Sequence, residues 1–379
     1  MDITTDSTQE LWHGLADPGS YEWWYFDAED PGQGLSAVFI WFDGFPFSPF
    51  YMRSYDRWRA GRNGTPPRPG HHAGFSFQLY RHGREVVNFI REGLDAEFTS
   101  DPSGVGVRFE NNRFCYDPLT DLFRLTVDFD FPARKKRVKG SFTFRPRHRY
   151  DYRRSHDCPG EEVSRHQWFL SVPKAEVEGE LSLDGFPEGG SSAFRFGGMG
   201  YHDHNLGTVP MHEYYDRWYW GRVLAGRYDL VYYVVYFRNQ AAPPLAVTLL
   251  TDSETGRQQR FDRITFSEER LTRGVFAPFH GRRLRFSAEG LEMVVGHRQV
   301  LDSGPFYLRF ASEFSLALNG SPLHRLSGIS EFLNPAALRS PVMRFFTSSR
   351  VWRDDEMATM YPYYNFFKRQ YDWLNRKLL

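Results

Sequence analysis

Between Gly197 and Gly207 the chain reads Gly-Gly-Met-Gly-Tyr-His-Asp-His-Asn-Leu-Gly, which sets a phenol, two imidazoles, a carboxylic acid and an amide at consecutive positions. In an extended strand, alternation places Tyr201, Asp203 and Asn205 on one face and His202 and His204 on the other. Four chemistries compete for this stretch. His202 and His204 share a face and could ligate a metal together with His166 or His212, but neither a helical HExxH nor a cysteine pair supports it. The polar residues could be structural, satisfied at a junction between domains. The site could bind an apolar ligand without changing it. The fourth reading is acid catalysis. A carboxyl group in a desolvated aromatic pocket has its charged form disfavoured, so Asp203 could stay protonated near neutral pH and donate to a carbon–carbon double bond. Aromatic faces would then steady the carbocation.

A second cluster, Ser164-Arg165-His166-Gln167-Trp168-Phe169, puts His166 and Trp168 on one strand face. A histidine there could position or deprotonate water, and a tryptophan could hold a cation. The elements that must position these groups read as strands. Tyr21-Glu22-Trp23-Trp24-Tyr25-Phe26-Asp27 is an aromatic strand, and residues 35–42 read as its hairpin partner. Phe75, Phe77 and Leu79 alternate, as do Leu125, Val127, Phe129 and Phe131, and Val177, Leu181 and Leu183. Asn111-Asn112 is a turn signal. Further strands are expected over 229–237, 245–251, 284–295 and 306–318. Such short runs at regular spacing indicate antiparallel sandwiches or barrels. Tyr21–Phe26 also lines up with Tyr215–Trp220, and at the same offset Ala37, Phe39 and Phe42 meet Val231, Tyr233 and Tyr236, an internal echo that predicts two β-domains.

Composition narrows the function classes. The 47 basic and 47 acidic side chains cancel, which leaves no cationic excess for a nucleic acid. Aromatic residues make up 17% of the chain, enough to line an apolar interior. Cys115 and Cys158 cannot by themselves build a disulfide framework or a cysteine zinc site. No phosphate loop, dinucleotide fingerprint or GxSxG elbow is present, so no cofactor and no metal is expected. The polar start of the chain and the lack of a long apolar run predict a cytoplasmic protein. Residues 1–20 read as a loose lead-in. Ten Lys/Arg between Arg134 and Arg154 read as a solvated loop or edge strand, with contact to anionic lipid as the functional alternative. Phe367, Tyr371, Leu374 and Leu378 trace one face of a C-terminal helix, with Lys368, Arg369, Arg376 and Lys377 off that stripe; peripheral membrane contact is its functional reading.

The opening YEWWYFD, the His166/Trp168 pair and the YHDHN segment together resemble the acyclic carotenoid 1,2-hydratases (hydroxyneurosporene synthases), part of a superfamily of two-domain lipocalin-like proteins. The resemblance runs from about Trp12 to about Pro335. It implies an all-β fold of two packed antiparallel barrels, here drawn as residues 12–190 and 191–352, followed by a helix over 353–379. It also implies a cofactor-independent addition of water to the terminal double bond of an acyclic carotenoid. Carried over by position, Asp203 would donate the proton with Tyr201 as its hydrogen-bonding neighbour, His166 would act on the water, and Trp168 would steady the tertiary cation. Trp24, Tyr25, Asn205 and His204 would line the substrate pocket. The same superfamily includes cofactor-free pericyclases that fold polyenes, and a non-catalytic lipid or pigment carrier is the alternative outside enzymes.

Overall fold

The computed structural model describes residues 1–6, 10–62, 64–94, 96–99, 105–131, 135–155, 166–186, 190–273, 279–353, 368, 370, 373 and 374. Among these the chain divides into two compact units, each built on one sheet. The first unit takes residues 1–155, 166–210 and 351–353, and the second takes 211–350 with the described C-terminal residues.

The first unit holds β1 (Asp2–Thr4), β2 (Tyr21–Asp30), β3 (Leu35–Asp43), β4 (Ala73–Arg81), β5 (Arg84–Gly93), β6 (Ala96–Thr99), β7 (Val105–Phe109), β8 (Asn112–Asp117), β9 (Leu122–Asp130), β10 (Arg137–His148), β11 (Arg153–Ser155), β12 (His166–Phe186) and β13 (Gly190–Gly207). Its main path runs β5-β4-β3-β2-β13-β12-β10-β9-β8-β7-β6. The edge strands β5 and β6 are neighbours in sequence, joined through residues 94–95. Laid flat, eleven strands about 4.8 Å apart would put those edges roughly 48 Å from each other, far beyond the reach of a two-residue link at about 3.5 Å per residue. The sheet therefore curls into a nearly closed barrel.

The second unit repeats the scheme with β14 (Tyr215–Val223), β15 (Tyr228–Phe237), β16 (Leu245–Asp252), β17 (Gln258–Phe261), β18 (Thr265–Thr272), β19 (His280–Ala288), β20 (Leu291–Ser303), β21 (Tyr307–Leu318) and β22 (His324–Leu333). Its order is β17-β16-β15-β14-β22-β21-β20-β19-β18, again with edges that are consecutive in the chain. The all-β fold expected from the sequence is the observed one.

The alternating runs fill the interiors. Trp24, Phe26, Phe39, Trp41, Phe75, Phe77, Leu125, Val127, Phe129 and Leu181 belong to one buried cluster inside the first sheet, and Tyr219, Tyr232, Val234, Phe286 and Phe310 belong to its counterpart in the second. The internal echo holds in one respect and fails in another. At the expected offset the hairpin pairing is reproduced, with Tyr25 opposite Ile40 and Tyr219 opposite Val234. The faces are inverted: Trp24, Ala37 and Phe39 point into their core, whereas on β14 and β15 it is Tyr219, Tyr232 and Val234 that do so. With a period of two, a one-residue change of facing exchanges every inner and outer side chain.

Other expectations need correction. Residues 1–20 are not all loose, because β1 pairs with β11 and β12 and Glu10 is buried. Residues 284–295 are two strands meeting at Gly290, whose φ of 78° suits glycine. Two helices escaped the strand reading: α1 (Pro49–Arg59) and, after the four-residue α2 (Met211–Tyr214), α3 (Pro341–Ser348). The first begins at Ser48, whose hydroxyl accepts from the amides of Phe50 and Tyr51 ahead of a first-position proline. The basic strand β10 is not an edge, since it pairs with both β9 and β12. Its cations face solvent beside acids, Arg137 on Asp128 and Arg147 on Glu176. At the C-terminus Lys368 does not reach solvent. It is buried and donates to Asp302 Oδ1 at 2.7 Å, and Arg350 holds the other oxygen of the same carboxylate. Phe367, Tyr371, Leu378 and Cys158 lie outside the described residues.

The glycines of β13 are needed for space. A Cβ on Gly200 would sit 2.6 Å from Phe144 and from Val177 and 2.7 Å from the Asp27 carbonyl, whereas one on Gly197 would meet nothing within 4 Å. Gly200→Val should therefore lower the urea-unfolding free energy by about 1–3 kcal/mol through overpacking, while Gly197→Ala should leave it within about 0.5 kcal/mol of wild type.

Candidate active site

β13 lies between β2 and β12 in an antiparallel ladder, with Asp203 opposite Tyr25, Tyr201 opposite Asp27, and Asn205 opposite Trp168. These residues share the face turned away from the first unit's aromatic core. Asp203 is their centre. Its Oδ2 accepts from the Trp168 indole at 2.8 Å and from the Tyr201 hydroxyl at 2.7 Å, and its Oδ1 accepts from the Asn205 amide at 2.9 Å. Three donors on one carboxyl group fix its plane. The Tyr25 ring meets the Tyr201 ring edge-on at 6.1 Å, and the Tyr25 hydroxyl donates to Asp27 Oδ2 at 2.8 Å.

His166 lies on the same face, two residues before Trp168. Its Nδ1 is 2.9 Å from the Tyr21 hydroxyl, its ring packs beside Trp23, and its side chain hydrogen-bonds to Asn205. Burial pushes this imidazole down to about 3, so it is neutral throughout the ordinary pH range.

The structure thus brings together Asp203, Tyr201, Asn205, Trp168, Tyr25 and His166. It places Trp24 and His204 elsewhere, because neighbouring residues of a strand point to opposite faces. Trp24 stacks flat on His204 at 4.8 Å inside the barrel, and His202 stacks on Phe26 at 3.8 Å. The inner imidazoles meet two glutamates. Glu22 Oε1 is 2.8 Å from His204 Nε2 and 2.8 Å from His13 Nδ1, and Glu22 also accepts from the His13 amide. His202 Nε2 is 3.1 Å from Glu10 Oε2, while its Nδ1 sits 2.9 Å from the Tyr25 carbonyl. Burial pushes both carboxyls up, yet the imidazoles facing them outweigh it and leave Glu10 and Glu22 below their ordinary 4.5.

The metal reading of His202 and His204 with His166 loses its geometry, since His166 occupies the other face. A different trio, His13, Glu22 and His204, does bring its donor atoms within 4.8 Å of one another. Its contacts have hydrogen-bond lengths, and the Glu22 carboxylate is satisfied by them.

Comparison with known proteins is decisive at this point. The family described as carotenoid hydratase CrtC matches residues 39–360. The chain belongs to that family. As a carotenoid hydratase family member it is a hydro-lyase. Over 376 residues, 99% of this chain and 98% of the other, it is 54% identical to a protein of Chlorobaculum tepidum named hydroxyneurosporene dehydrogenase. An acyclic carotenoid 1,2-hydratase of Thiocapsa roseopersicina is 25% identical over 84% of this chain and 71% of its own length. Among solved structures, CghA superposes with a TM-score of 0.59 at 16% identity over 84% of this chain and 88% of its own. Kievitone hydratase of Nectria haematococca does so at 0.51 and 10% identity, over 87% and 92%. These two likenesses show a shared fold.

Four residues of this hydratase's polar network went unassigned in the sequence: Tyr21, Asp27, Glu22 and Glu10. The first three sit inside the aromatic opening strand, where acids alternating with rings were the available signal. Glu10 lies in a polar stretch that carries no periodicity.

The pH dependence of stability follows from His166. Its folded value of about 3 lies below the ordinary 6.5. Between those values the unfolded chain binds a proton that the native state refuses, so stability present at neutral pH is lost as pH falls. Urea-unfolding free energy measured from pH 7.5 to 4.5 should decline, and His166→Gln should remove up to about 1.4 kcal/mol per pH unit of that slope. The half-buried His148 and His297, also pushed down by desolvation, add to the slope that remains, and Asp43, whose carboxyl burial raises to about 6, opposes it.

Proposed function

We propose that the enzyme adds water to a terminal carbon–carbon double bond of an acyclic carotenoid or related polyene by proton donation from Asp203, without a cofactor. One observation carries this reading: a single carboxyl group, almost sequestered from solvent, is oriented by Trp168, Tyr201 and Asn205 among aromatic rings. Donation from Asp203 to the terminal double bond leaves a tertiary cation. The faces of Trp168, Tyr25 and Tyr201 are the electron-rich surfaces beside that carbon. Water then closes the reaction as a tertiary alcohol. His166, neutral and tethered to Tyr21, is suited to hold that water by a hydrogen bond.

So apolar a substrate must leave a lipid phase to reach the site, and transient membrane contact is part of the proposal. Four of the cations that were candidates for headgroup contact are paired with acids: Arg137, Arg147 and Arg149 on β10 and its flank, and Lys368 at Asp302.

The name of the Chlorobaculum relative favours a second reading, a dehydrogenase acting on a hydroxylated carotenoid. The two separate by mass. Purified protein, given detergent-dispersed lycopene or neurosporene in oxygen-18 water without added nucleotide, flavin or metal, should yield a product heavier by one labelled water. Asp203→Asn should lower that rate by at least about 10²–10⁴-fold with the melting temperature retained. A hydroxylated substrate returned two hydrogens lighter would establish the dehydrogenase, a product of unchanged mass a pericyclase, and bound but unaltered polyene a carrier.

A further inference from the structure

Asp27 is fully buried and lies on the face that carries Asp203. The two acids belong to matching couples on antiparallel neighbours. On β2 the Tyr25 hydroxyl donates to Asp27 two residues further on, and on β13 the Tyr201 hydroxyl donates to Asp203 two residues further on. In the ladder Tyr25 faces Asp203 and Tyr201 faces Asp27, so the four side chains form a square with a local two-fold axis. The strand positions of Asp27 and Asp203 lie on a diagonal of this square, about 7–8 Å apart along the ladder.

Hydration needs an acid for carbon and a base for water in the same turnover. His166 was the sequence's candidate for the base, but its Nδ1 is engaged by Tyr21, and a buried imidazole held neutral to about pH 3 is a feeble proton acceptor. We propose that Asp27 is the second carboxyl group of the reaction and accepts the proton that water releases. This rests on the hydratase reading above. The Asp203 O–H bond breaks, its proton forms the new C–H bond, and the π electrons leave a tertiary cation at the neighbouring carbon. A water lone pair forms the C–O bond, one water O–H bond breaks, and its proton goes to the Asp27 carboxylate. Return of that proton from Asp27 to Asp203, along the line of the Tyr25 and Tyr201 hydroxyls, restores both groups.

The test runs in deuterium oxide with wild type, Asp203→Asn, Asp27→Asn and Asp27→Glu on dispersed lycopene, with both product and recovered polyene read by mass spectrometry. Wild type should give the alcohol with one carbon-bound deuterium. In Asp27→Asn the cation still forms but is not captured, and the Asp203 carboxylate removes a proton from a flanking carbon to regenerate the alkene. Alcohol formation should therefore fall by about 10²-fold or more while the recovered polyene gains deuterium. Asp203→Asn should show neither, and Asp27→Glu, which keeps a carboxylate, should hydrate faster than Asp27→Asn. Hydration by Asp27→Asn at the wild-type rate would overturn the proposal. So would loss of hydration and exchange together in a variant that melts like wild type, because Asp27 would then only position its neighbours. Wild type that forms no labelled alcohol would instead refute the hydratase reading on which this rests.

Discussion

From Gly200 to Gly207 β13 is buried on both faces, and the pairing that holds it between β2 and β12 is the constraint on which the rest depends. Its central residues pair with β2 in unbroken register and with β12 across two bulges, so the side chains alternate between two directions. One direction meets an aromatic core, where a polar group needs a hydrogen-bonding partner. His202 and His204 meet that condition through Glu10 and Glu22. The other direction carries Asp203, whose carboxyl is held by an indole, a phenol and an amide. The Asp203 face is held in place because the opposite face is anchored. His202 reaches across to the Tyr25 carbonyl, and so fixes the backbone directly opposite Asp203.

The glycines serve the same constraint. Gly198 and Gly200 let β13 approach β2 at positions where a methyl group would strike the carbonyls of Glu29 and Asp27. Close approach keeps the Tyr–Asp square small enough for a phenol on one strand to lie against its counterpart on the other. Catalysis by proton transfer tolerates little slack in such distances.

Much of the site was legible without coordinates. Alternation alone separated Tyr201, Asp203 and Asn205 from His202 and His204, and it aligned His166 with Trp168. It also contained the warning that Trp24 and Tyr25, as sequence neighbours, could not both line one pocket. What escaped were the partners. Glu10 sits in a stretch without periodicity, and its contact with His202 spans 192 residues, a separation that no local pattern encodes. Lys368 was taken for an exposed charge because lysine on a polar helix face usually is one; an acid from β20, Asp302, made burial tolerable.

By itself the sequence determined the all-β class, the two-fold recurrence of aromatic hairpins, and the face that gathers Tyr201, Asp203 and Asn205, because strand periodicity and residue chemistry are local properties. Only the tertiary structure decided which acids stand beside which imidazoles, that the two hairpins turn opposite faces to their cores, and that Asp27 and Asp203 share a square with their tyrosines. Those outcomes depend on ladder register and sheet closure, which link residues far apart in the chain, and a one-residue change of facing reverses them.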